Sequence, residues 1–188
     1  MEEVVKRDIL DILKQAIKAI KESDVKTLRD LSNHTIHDSS IIQDKYSISI
    51  AVIIYSLSKI FERTSYREYK DWKIFYDNVL KCLKDAKDFL ESDKIDKYEE
   101  CTKNILRIIN KLESKLKMFI KEVFEKSKIN KGSRLYEHGL SISKAAELLN
   151  ISQWELMDYA GSTGISDIGF SISKSVKERL KYARELFK

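Results

Sequence analysis

Residues Ser141–Gly161 read SISKAAELLNISQWELMDYAG, and the local signals within them agree on two short helices joined by a tight turn. Ala145, Ala146, Leu148 and Leu149 make one apolar face, and Asn150 tolerates the left-handed conformation that a turn needs. Ser152 is a capping residue, Glu155 three positions on completes a capping box, and Ile151 and Leu156 stand where a hydrophobic staple sets its pair. This is the sequence form of a helix-turn-helix. Its second helix presents Gln153, Trp154, Glu155 and Asp158, and no Lys or Arg lies between Lys144 and Lys174. Of those four, only Gln153 has an amide suited to base edges and phosphates, so both nucleic-acid and protein contact remain open.

The composition suits a helical chain with a sizeable core: 188 residues, 43% hydrophobic, 35% charged and no proline. A net charge of +5 is mild, and neither side of Gly132 concentrates the basic residues as a committed nucleic-acid binder does. The start, MEEVVKRDIL, does not resemble a secretory signal, and the most apolar run, Ile48–Leu57, is shorter than the roughly 20 residues a bilayer requires. A cytoplasmic location without membrane contact is the expectation. Cys82 and Cys101 match no metal spacing and are too few for a disulfide framework, which leaves them as small reduced core residues facing each other across a helical hairpin.

All five glycines lie from Gly132 onward. That shift predicts an all-α chain in two parts: a bundle of about five helices over 1–130, then a small helix-turn-helix domain over 131–188 with a short strand. In the bundle, apolar residues recur at the helical period over about Glu2–Glu22 and again after a cap at Asp24. The stretch Tyr46–Thr64 is apolar nearly all round, as a helix enclosed by others should be. A fourth helix covers about Tyr66–Leu90, and a fifth continues to about Lys126. Along the fifth, Ile105, Ile109, Leu112, Leu116, Phe119 and Val123 alternate by four and three, a seam for a homodimer or for helices of the same chain. Beyond it, Ser133–His138 make a short helix ended by Gly139. Ile168, Phe170 and Ile172 alternate as a strand does, and Ser175 with Glu178 caps a last helix to Phe187 that carries Lys177, Arg179, Lys181 and Arg184, with Lys174 just before it.

Three constellations suggest other chemistry. Arg29 and His34 have the arginine, four residues, histidine spacing of HEPN ribonucleases, where the pair stabilises and protonates a cleaved phosphodiester. Five positions on an unbroken helix separate two side chains by roughly 140°, so this pair would not converge without a break or a second chain. His34, His37 and Asp38 begin a metal site that nothing nearby completes. Gly161–Gly164 (GSTG) leads into a strand-like segment rather than a helix start, unlike a phosphate loop. No catalytic residue, metal or cofactor is expected.

The run SISKAAELLNISQWELMDYAGSTGI resembles the helix-turn-helix of prokaryotic antitoxin-like proteins of the VapB type, in which a "WE" helix follows KAAELLNIS and "GI" closes the motif. The Trp154–Glu155 pair is its more specific part, and the match covers about 25 of the 188 residues. The resemblance implies binding to the protein's own promoter and neutralisation of a PIN-domain ribonuclease by the segment after the motif. It assigns DNA contact to Lys144, Gln153 and Trp154, and partner contact to about Ile168–Phe187; apart from the resemblance, Lys174 and Lys177 are either part of a solvated helix face or the nearest further source of phosphate contacts. The first 130 residues resemble uncharacterised archaeal proteins, which implies no activity. The expected role is a DNA-binding regulator or antitoxin, not an enzyme. A HEPN-like ribonuclease and a protein-interaction scaffold without nucleic acid are the alternatives.

Overall fold

Short polar residues decide where this chain turns. Asp24 accepts from the Thr27 amide at 3.0 Å and the Thr27 hydroxyl at 2.6 Å, and Asp44 accepts from the amides of Tyr46 and Ser47 at 3.0 and 2.8 Å. Ser23, Asp93, Asn150 and Gly139 take the left-handed backbone that closes a helix. The computed structural model describes the backbone at residues 1–42, 44–110 and 115–163, and side chains there except at 37–42, 106, 109 and 110.

Among the described residues the fold is all α, with eight helices and no strand. They are α1 (Glu3–Glu22), α2 (Val25–Ile42), α3 (Lys45–Glu62), α4 (Trp72–Glu91), α5 (Ile95–Asn110), α6 (Lys115–Glu137), α7 (Ile142–Leu149) and α8 (Gln153–Ser162), with a 3-10 turn at Thr64–Glu68 before α4. Helix α2 packs along α3, α4 along α5, and α1 lies against α2 and α4, while α6 crosses α3. None of the described helices is long and apolar enough to cross a membrane.

The apolar character of α3 all round is explained by two cores, one on each side of it. Ile50, Ile53, Ile54, Leu57, Ile60 and Phe61 join α1, α4, α5 and the start of α6 in the larger core. Ile48, Ala51 and Val52 join Ile36 of α2, Leu135 of α6 and the apolar residues of α7 and α8 in the smaller one. The Ser32 hydroxyl donates to the Ala51 carbonyl at 2.7 Å, satisfying a buried polar group at the α2–α3 contact.

Three expected elements differ. The stretch expected as one fifth helix to about Lys126 is described as α5, ending at Asn110, and α6, starting at Lys115, with 111–114 outside the described residues. The fourth helix starts at Trp72 rather than Tyr66, because Tyr66 is buried in the preceding 3-10 turn with its ring stacked on Phe119 at 5.8 Å. Ser133–His138 is not a separate helix but the last turns of α6, which runs unbroken through Gly132. The described seam residues Ile105, Leu116 and Val123 are buried in the chain's own core, so that face packs within one molecule. Ile109 and Leu112 fall outside the described side chains. The expected strand at Ile168–Ile172 and the helix to Phe187 lie outside the described residues. Cys82 and Cys101 meet across the α4–α5 hairpin as expected: both are free and buried, and the Cys82 thiol donates to the Cys101 carbonyl at 2.7 Å. Burial pushes the Cys82 thiol up to about 12, with Cys101 adding to the effect, so it stays protonated and unreactive.

Lys131 is fully buried where α6 crosses α2 and α3. Its ammonium donates to Asn33 Oδ1 at 2.9 Å and lies 4.1 Å from the centre of the Tyr55 ring. Among the described residues no carboxylate pairs with it, and burial, then Arg134, lower its pKa to about 8. Below that pH the folded state holds a charge it disfavours. Between about 8 and the ordinary lysine value of 10.5 the folded chain sheds the proton while the unfolded chain keeps it, so stability rises with pH there. Lys131→Met is therefore expected to be about 1–3 kcal/mol more stable than the parent at neutral pH, with the advantage shrinking toward about pH 10. Urea unfolding at the two pH values checks this, and an advantage that stays constant or grows would refute it.

Candidate nucleic-acid interface

The α7–α8 unit is built from its caps inward. The Ser141 hydroxyl accepts from the Lys144 amide at 3.2 Å to start α7, and Asn150, at φ 50° and ψ 53°, ends it. The Ser152 hydroxyl accepts from the Trp154 amide at 3.2 Å, while the Ser152 amide donates to Glu155 Oε2 at 3.2 Å, so the expected capping box is formed. Leu149 and Leu156 then point inward together onto α6. There Gly132 leaves room for them: a Cβ at that position would lie 3.1 Å from Leu149 Cδ1 and 3.1 Å from Leu156 Cδ1. Ile151, half-buried, packs at the edge of the same core.

With Leu156 and Ala160 facing in, α8 turns Gln153, Trp154, Met157 and Asp158 to solvent. Trp154 is 78% exposed and Met157 47%. The Gln153 amide donates to the Ser143 hydroxyl at 3.0 Å, which ties the start of α8 to α7. Lys144, also near that edge, pairs with Glu147 at 3.0 Å. The three described residues assigned to DNA contact, Lys144, Gln153 and Trp154, thus belong to the adjoining helices α7 and α8. Lys174 and Lys177 lie outside the described residues. Met157 was missed from the sequence, although its spacing of three from Trp154 puts it on the same helical face. Over residues 140–163 Lys144 is opposed by Glu147, Glu155 and Asp158, so the described face is acidic on balance.

Arg29 and His34 both lie on helix α2, which runs continuously from Val25 to Ile42. Arg29 is near enough to Glu62 of α3 to help hold that carboxyl below its usual range, after Lys59. His34 lines a cleft of about 490 Å³ between α1 and α2 with Asp8, Asp11 and Asp30. His37 and Asp38 fall outside the described side chains, and among the described residues no three His, Cys, Asp or Glu side chains gather as metal ligands. The helix α8 ends at Ser162, with Gly164 outside the described residues.

No family model, curated protein or solved structure matches the chain. The candidate interface therefore rests on its own geometry.

Gly132→Val is expected to destabilise the fold by about 1–3 kcal/mol, because a branched side chain would wedge Leu149 and Leu156 off α6. Gly132→Ala is expected to be far milder, since its single methyl meets only the mobile ends of two leucines and gains helix propensity of about 1 kcal/mol. Chemical denaturation of the two variants checks the order, and equal stabilities would show that α7 and α8 do not depend on this contact.

Proposed function

We propose that this chain is a DNA-binding regulator of the antitoxin type, with α7 and α8 as its helix-turn-helix and the bundle as their platform. The supporting observation is the outward-facing start of α8: a tryptophan 78% exposed beside Gln153, on a helix whose first turn a capping box holds in place. Gln153 offers the bidentate amide that recognises adenine, and its bond to the Ser143 hydroxyl lies at the exposed surface, where exchange for a base edge costs little. Lys144 suits a phosphate. Trp154 supplies a flat face for sugar or base. The local acidic balance means that further cations must contribute, and the sequence supplies Lys174 and Lys177 after the motif. A homodimer would double the contact, and it would use a surface other than the buried Leu116–Val123 side of α6. The role is non-enzymatic.

A second reading, contact with a protein such as a PIN-domain ribonuclease, is favoured by Met157 next to Trp154 with Glu155 and Asp158 around them. An exposed aromatic and a methionine ringed by carboxylates suit the apolar centre and polar rim of a protein interface whose partner is basic.

A gel shift with the DNA upstream of its own gene separates the two. The expected result is a complex at low salt that weakens as salt rises, and that Gln153→Ala and Trp154→Ala each weaken by about tenfold. Both substitutions fall at exposed positions; Trp154→Ala is expected to leave the unfolding midpoint unchanged, and Gln153→Ala to lower it only slightly through loss of one exposed hydrogen bond. A complex absent at low salt, or indifferent to both substitutions, would sink the DNA reading and leave the protein contact.

A further inference from the structure

A second concave feature lies where the bundle meets the helix-turn-helix. Helices α3, α6 and α8 enclose a cleft of about 450 Å³, within the roughly 300–1,000 Å³ usual for small-molecule sites. Its cations are Lys59 and Arg63 from α3 and its C-terminal cap, and Lys126 from α6; its rings are Tyr55 of α3 and Tyr159 of α8. Among the described residues no carboxylate lines it. Asn130 stands between the halves, its amide donating to the Tyr159 hydroxyl at 3.3 Å.

From this lining we infer that the cleft binds a mononucleotide, its phosphate held by Lys59, Arg63 and Lys126 and its base set against Tyr55 and Tyr159. The site goes beyond the DNA reading and does not depend on it.

The cations are arranged to receive an anion. Arg63 is held in place by Tyr66, whose hydroxyl accepts from Nη1 and whose ring lies 5.5 Å from the guanidinium, so its remaining donors can form the bidentate grip that phosphate favours. Lys59 pairs with Glu62 at 3.0 Å and Lys126 with Glu122 at 2.5 Å. Both pairs are solvent-exposed contacts between residues three or four apart on one helix, worth about 1 kcal/mol or less, which a phosphate readily exchanges. The buried Lys131 ammonium lies 4.1 Å from the centre of the Tyr55 ring, without a carboxylate partner among the described residues, and an anion in the cleft would offset its field. A duplex is the poorer occupant. These groups line a concave cleft rather than a stripe along an outer face, and Gln153 and Trp154 are not among them.

Titration calorimetry of the intact chain with AMP, GMP, CMP and UMP, with adenosine and with inorganic phosphate, tests the site. At least one mononucleotide is expected to bind about tenfold or more tighter than either adenosine or phosphate, because only it engages both the cations and the rings. Changing Lys59 and Lys126 together to alanine (K59A, K126A), at partly exposed positions, is expected to weaken that binding by about tenfold or more without moving the unfolding midpoint. Tyr159→Leu is expected to reduce the preference for nucleotide over phosphate. The inference is overturned if no mononucleotide binds at millimolar concentration, if phosphate binds as tightly as the nucleotides, or if the double variant binds as the parent does. The gel shift is governed by Gln153 and Trp154, so a failure of either reading is seen separately.

Discussion

Helix α3 has to be dry on both sides, and the rest of the molecule follows from that requirement. One side buries Ile50, Ile54, Leu57 and Ile60 against the bundle, and the other buries Ile48, Ala51 and Val52 under α7 and the end of α6. Each buried isoleucine or leucine is worth about 1.5–3 kcal/mol relative to exposure, so neither side can be left open to water. The α7–α8 pair is therefore one of the walls that α3 requires. Its first helix covers apolar surface that the bundle alone would expose.

Helix α6 is the second shared element. Its first half, at Leu116, Ile120 and Val123, belongs to the large core, and its last turns, at Gly132 and Leu135, belong to the small one. A single continuous helix thus fixes where α8 stands relative to the bundle. This rigidity bears on function, because a base-reading or partner-reading side chain is useful only if its backbone is held. With Leu156 and Ala160 packed inward, the helical period leaves Trp154 and Met157 nowhere to go but outward.

The crossing of α6 over α2 and α3 also collects the charges with the most unusual surroundings in the fold. Lys131 is buried against Tyr55 with an amide oxygen rather than a carboxylate as its partner, and Arg63, Lys59 and Lys126 line the cleft to which that ring also belongs. Burial without a counter-charge costs stability that a purely structural lysine position would have avoided by being apolar. The same placement gathers three cations around a concave surface that α8 shares with the bundle.

Much of this was legible in the linear chain because it is local. Capping geometry at Asp24, Ser152 and Glu155, the left-handed turn at Asn150 and the all-round apolarity of α3 involve residues within a few positions of one another, and the amide and hydroxyl chemistry that drives them needs no distant partner. The exposed face of α8 was equally readable, since periodicity alone separates Leu156 from Trp154. The first glycine, Gly132, suggests a boundary in the chain; instead helix α6 continues through it, and the absent side chain makes room for Leu149 and Leu156, contacts 17 and 24 residues away that no local rule contains. The heptad seam, too, promised burial without naming the partner, and only packing decided that the partner was this same chain. The cleft was invisible for a stronger reason: Tyr55, Lys126 and Tyr159 are about 70 and 30 residues apart in sequence and have no common spacing, so their chemistry exists only once α3, α6 and α8 have closed around it.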